Sequence, residues 1–151
     1  RVLHRRHGIP VYANSGTVEA LSRDVELAGL KWQVFTTGTT FPQAMDIALG
    51  TPVVAQIAND TDMDIYEFTV PPGGAVIRFQ TFDQGGAGCS RVDTWVDVYD
   101  ADTFWMDGQD DINYPSNLCE DFTTLLPAGQ NYVEVGGWFS PFAYTLLVSL
   151  N

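Results

Sequence analysis

Hydrophobic and polar positions fall into two textures that meet near residue 40. Before it, residues 9–13 (IPVYA) make a short apolar run, and Val18, Leu21, Val25 and Ala28 recur at spacings of three and four. That period predicts a helix over residues 17–28, capped by Asn14 or Ser15 and stopped at Gly29. Residues 31–36 (KWQVFT) alternate and predict a strand, followed by a turn at residues 37–40.

Beyond residue 40 the period is two. Residues 52–58 (PVVAQIA) make a first strand, ended by Asn59-Asp60-Thr61-Asp62. Residues 64–70 place Tyr66, Phe68 and Val70 on one face, with Glu67 and Thr69 on the other. After the Pro71-Pro72-Gly73-Gly74 turn, residues 75–82 oppose Ile77 and Phe79 to Arg78 and Gln80. Residues 92–99 set Val92, Thr94, Val96 and Val98 against Asp93, Trp95, Asp97 and Tyr99. An acidic turn and an acidic loop over residues 107–111 (DGQDD) come next. Residues 118–125, 131–135 and 142–150 complete the series. Seven or eight short strands between strong turn signals predict a mainly β fold, an antiparallel β-sandwich preceded by a short βαβ-like segment over residues 1–39.

Charge separates the same two parts. Residues 1–39 carry five basic groups against three acids, whereas residues 40–151 carry only Arg78 and Arg91 against sixteen acids. So acidic a surface repels phosphate backbones, which makes nucleic acid a poor partner. It suits solubility, cation binding or docking on a basic surface. No apolar run reaches the ~18–20 residues of a membrane span. With no initiator Met and no charged-then-apolar leader, Arg1 is expected to begin a processed chain or an excised fragment. Cys89 and Cys119, the only cysteines, have no metal-type spacing and are expected to form a disulfide, with two buried free thiols as the rival reading. A disulfide implies an extracellular or periplasmic location.

An ordered series of motifs marks the second part: Asp62-Met63-Asp64-Ile65-Tyr66-Glu67-Phe68, then Pro72-Gly73-Gly74, then residues 93–100 (DTWVDVYD), Asp110-Asp111, residues 126–135 (LPAGQNYVEV) and Tyr144-Thr145-Leu146. Residues 40–151 thereby resemble the bacterial pre-peptidase C-terminal domain family, which is also similar to the collagen-binding modules of secreted clostridial collagenases. The resemblance implies a jelly-roll-like sandwich appended to secreted exoenzymes and used for adhesion, or removed, rather than for catalysis. Residues 1–21 with residues 32–41 resemble an internal stretch of metallo-β-lactamase-fold hydrolases. That family's zinc motif, H-x-H-x-D-H, is absent here and no His follows His7, so the segment is read as a degenerate fragment, native to the sandwich or fused to it.

Candidate chemistry is sparse. His4 and His7 lack the third and fourth ligands of a zinc site. Asp60, Asp62 and Asp64 alternate as a calcium loop begins, but an EF-hand would need Gly where Ile65 stands and Glu where Pro71 stands. Calcium held by a sandwich loop stays open, at these acids or at Asp107, Asp110 and Asp111. Turn and strand-edge aspartates are the plainer reading of both groups. No G-x-S-x-G elbow is present, and no carboxylate pair stands out by spacing. Trp95, Tyr99, Trp105, Trp138 and Phe139 form an aromatic set suited to fibrous protein, polysaccharide or another subunit, or else capping the sandwich ends. The sequence therefore reads as a secreted, non-catalytic binding module, with a structural subunit of an extracellular assembly as the alternative.

Overall fold

In a computed structural model of the chain, the residues described are Val11–Asn14, Trp32–Phe35, residues 40–83, Cys89, residues 91–139 and residues 141–151. The chain divides into two compact units, Arg1–Thr36 and Thr37–Asn151. In the first, strands β1 (Val11–Asn14) and β2 (Trp32–Phe35) pair in parallel, Val11 opposite Trp32 and Asn14 opposite Phe35. Parallel neighbours need a crossover of a dozen or more residues, and residues 15–31 have that length. The helix expected over residues 17–28 lies outside the described residues, as do His4 and His7.

The second unit opens with a short 3₁₀ turn, Phe41–Gln43. Its strands are β3 (Met45–Asp46), β4 (Val53–Ile57), β5 (Asp64–Val70), β6 (Ala75–Asp83), β7 (Asp93–Tyr99), β8 (Trp105–Asp110), β9 (Asp121–Leu126), β10 (Gly129–Trp138) and β11 (Phe142–Leu150). They form a five-stranded sheet in the order β3-β5-β10-β7-β8 and a four-stranded sheet in the order β4-β11-β6-β9. All pairs are antiparallel except β3 with β5. The chain changes sheet at every connection but one, the β7–β8 hairpin.

Two strands exceed the sequence expectation. One is the two-residue β3. The other corrects the acidic loop: residues 105–110 are a strand, with Trp95 opposite Asp110, Asp97 opposite Gly108 and a bulge between Val98 and Tyr99. Acids and a glycine disguised it, because as an edge strand it carries no buried apolar face and so no apolar alternation. The turn falls earlier, where the Asp100 carboxylate accepts from the backbone N–H groups of Asp102 and Phe104.

The alternation seen in the sequence is what builds the core. Tyr66, Phe68 and Val70, with Val96, Val98, Val133 and Val135, face Ile77, Phe79, Tyr144, Leu146 and Val148 of the other sheet, all essentially inaccessible. Phe68 meets Phe79 edge-on at 5.8 Å, and Phe122 stacks on Phe79 at 5.2 Å. Each such side chain contributes about 1.5–3 kcal/mol on burial. Polar groups inside find partners across the gap. Tyr66 and Tyr144 share a hydroxyl hydrogen bond of 2.8 Å, and Tyr144 Oη lies 2.7 Å from Asp64 Oδ2. Burial raises both phenols well above their ordinary range.

Cys89 and Cys119 are disulfide-bonded, with Cα atoms 5.1 Å apart. The bond lies between the β6–β7 and β8–β9 connections. Backbone bonds bind the same place: Leu118 N–H donates to Cys89 O, and Ile112 N–H to Cys119 O, each at 2.8 Å. Closing a loop of 30 residues restricts the unfolded chain by about 3–4 kcal/mol. Reduction, or Cys89→Ser with Cys119→Ser, is therefore expected to lower the calorimetric midpoint by more than about 10 °C.

Candidate functional site

The outer face of the five-stranded sheet carries the aromatic residues that alternate with its core valines. At one end Phe41 packs edge-on against both Tyr99 and Tyr132, with centroids 5.0 and 5.2 Å apart. Tyr99 donates its hydroxyl to Glu134 Oε2 at 2.9 Å. Burial, then the hydrogen bond to Glu134, holds the Tyr99 phenol well above its usual range. Burial likewise raises Glu134. This end of the face is closed.

The middle is open. Trp95, Trp105 and Trp138, from β7, β8 and β10, line a trough of about 370 Å³ together with Asp97, Gln109 and Asp110. Two glycines create it. Gly136 stands opposite Trp95, and the indole lies so close over it that any Cβ there would overlap the ring. Gly108 stands opposite Asp97, and a Cβ there would overlap the carboxylate. Asp97 Oδ1 in turn accepts from Trp105 Nε1 at 2.8 Å, which fixes a ring that is otherwise 60% exposed. The trough thus offers indole surfaces held in place, with carboxylate and amide groups along the rim.

Acidic residues gather where β7 begins and β8 ends. Carboxylate oxygens of Asp93, Asp110 and Asp111 all lie within 4.8 Å of one another. Asp111 has φ +68°, a left-handed backbone that turns the chain out of β8. Burial, then the charges of Asp111 and Asp110, raises Asp93 above the usual carboxylate range. Burial and Asp110 raise Asp111. Asp110 belongs to both the trough and this cluster.

Behind it lies Glu120, 1% exposed. Its Oε2 is in hydrogen-bond contact with the hydroxyls of Thr81 and of Thr94, and the two hydroxyls lie 2.9 Å from each other. Both hydroxyls donate to this oxygen, and those bonds favour the ionised acid, whereas burial disfavours it. Burial pushes Glu120 up to about 8, against the opposing effect of its hydrogen bonds from Thr81 and Thr94.

The structure thus brings together Trp95, Trp105 and Trp138, and separately Asp110 and Asp111. It places the remaining candidates elsewhere. Tyr99 is packed under Phe41, and Phe139 is 87% exposed just past β10, at φ +57°. Asp107 pairs with Val98 and accepts from the Gly108 N–H. Asp62 accepts from the Ala58 N–H, and Asp64 is fully buried beside Tyr144. Among the described residues Asp93, Asp110 and Asp111 are the carboxylate group spaced for a cation, and the Asp60, Asp62 and Asp64 series forms none. Sequence reasoning passed over Asp93, Glu120 and Gly136. A glycine pair inside a strand and beside Trp138 was the available sign of close approach; Glu120 had none.

Gly136→Ala is expected to displace the Trp95 indole, shifting tryptophan emission to the red and costing about 1–3 kcal/mol in denaturant titration. Glu120 sets a pH dependence. Its folded value lies above the 4.5 of an ordinary Glu, so its stabilisation is complete below about 4.5 and is lost as pH rises to about 8. The melting midpoint should fall by several degrees across that window. Glu120→Gln should flatten most of the fall, the remainder coming from Asp93, Asp111 and Glu134.

No family model matches the sequence, and no curated protein matches it. Among solved structures, the fold is similar to the pre-peptidase C-terminal domain of a collagenase from Bacillus anthracis. That overlay has a TM-score of 0.53 and 16% identity, and it covers 70% of this chain and 94% of that one. A looser overlay, with a TM-score of 0.34 and 20% identity, is with the isomalto-dextranase of Arthrobacter globiformis T6; it covers 62% of this chain and 17% of that enzyme. The likeness to the collagenase domain is one of fold, and it falls on the family that the motifs of residues 40–151 resemble.

Proposed function

We propose that this chain is a non-catalytic accessory module of a secreted exoenzyme, which holds the enzyme against an extracellular polymer through the tryptophan trough. One observation carries the reading: three tryptophans from three strands converge on an open surface, where Gly136 makes room for the Trp95 indole and Gly108 for the Asp97 carboxylate that holds Trp105. Large aromatic rings exposed together and fixed in orientation are the usual anchors of recognition surfaces.

Three further features support it. The fold is similar to the pre-peptidase C-terminal domain of a collagenase. The disulfide fits an oxidising compartment, and among the described residues no helix is long and apolar enough to cross a membrane. Both histidines of the chain precede residue 40, and the two cysteines are joined, so the sandwich offers neither a His base nor a free thiol for nucleophilic chemistry. Fibrous protein is the first ligand class, by the parallel with the collagenase domain. Polysaccharide is the second, because Asp97, Gln109 and Asp110 could accept and donate hydrogen bonds to sugar hydroxyls stacked on the indoles.

Co-sedimentation with insoluble collagen, cellulose and chitin tests the reading. Retention on one of them is expected, with Trp95→Ala, Trp105→Ala or Trp138→Ala each weakening it by about tenfold or more, while Trp105→Ala and Trp138→Ala leave the melting midpoint within a few degrees. Equal retention of the triple variant would remove the trough from the function.

A further inference from the structure

The group at the end of β7 and β8 has a property that turn aspartates lack. Asp93 is 7% exposed, yet its carboxylate has no hydrogen-bond donor among the described residues, and the charges that act on it are those of Asp111 and Asp110. Asp111 Oδ1 is also buried without a donor. A buried carboxylate is costly unless it is paired, and two further carboxylates beside it add to that cost. The second unit has two cationic side chains to offer. Arg78 is engaged with Asp121 by a two-pronged ion pair on the other sheet. Arg91 is exposed and does not figure among the charges acting on Asp93.

We infer that Asp93, Asp110 and Asp111 hold a calcium ion, which ties the start of β7 to the end of β8 at the rim of the trough. The donor set is all carboxylate oxygen, which excludes the nitrogen and sulfur ligation of zinc and suits a hard cation. Oxygens within 4.8 Å of one another are close enough to share one cation, and calcium accepts the irregular all-oxygen sets that magnesium's strict octahedron does not. Waters and the half-open side toward Asp110 leave room for the six to eight oxygens calcium takes. The cradle is built from behind. The left-handed Asp111 backbone turns the chain out of β8 with its carboxylate near that of Asp93, and the next N–H, of Ile112, is held by Cys119 O. The disulfide at Cys119 fixes the same turn. The inference stands apart from polymer binding, since its readout is the ion itself.

Titration of the chelator-treated full chain with calcium chloride, by calorimetry and by melting, tests it. Terbium serves as a second probe, because Trp95 and Trp138 are near enough to sensitise its emission. One ion per chain is expected, with a dissociation constant of roughly 10⁻⁴–10⁻³ M and a midpoint raised by several degrees at saturation. Asp93→Asn and Asp111→Asn should weaken binding at least tenfold while raising the ion-free midpoint, because each removes an unpaired buried charge. Asp62→Asn should bind as the parent does. The inference fails if calcium to 10 mM gives no saturable signal, if Asp93→Asn binds as tightly as the parent, or if magnesium binds equally well.

Discussion

Two sheets of this sandwich exclude water from a single layer of side chains, and nearly every other feature answers to that exclusion. The apolar part of the layer needs no direction. The polar part does, because a group placed inside must be met inside. Asp64, Tyr66 and Tyr144 meet one another across the gap, as do Thr81, Thr94 and Glu120. Both sets bridge the sheets, so they fix how one sheet sits on the other, which hydrophobic contact by itself leaves loose. The second set, with the disulfide, lies directly behind the acidic turn. Chemistry at the surface is held there by packing inside.

Strand positions were legible in the residues wherever a strand buries a face. The alternations of β5, β6 and β7 place the same side chains inward in the structure as in the sequence, because an inward-facing valine or phenylalanine has one reason to be there. β8 was illegible for the same cause. It lies at an edge, neither face of it is core, and its acids and glycine resemble a loop in every local respect. With β8 went Asp93, whose partners Asp110 and Asp111 become neighbours only once the β7–β8 hairpin is known.

The trough shows the converse case. Its aromatic residues announced themselves by type, but their convergence depends on positions that carry no side chain. Trp95 can lie flat only because Gly136 leaves the neighbouring strand bare, and Asp97 reaches Trp105 only because Gly108 does the same on the other side. A list of chemically interesting residues would include neither glycine. What decides whether three indoles form one surface or three separate bumps is the pattern of vacant positions between them.

The placement of β8 has a further bearing on how such a protein stays dispersed. An outermost strand presents unpaired backbone groups, and one that also carries Trp105 and Met106 invites the same strand of another molecule to pair with it. Asp107 and Asp110 lie on that strand, so two copies drawn together edge to edge would bring like charges into register. Aromatic display and a charge brake on edge-to-edge pairing therefore lie within the same six residues.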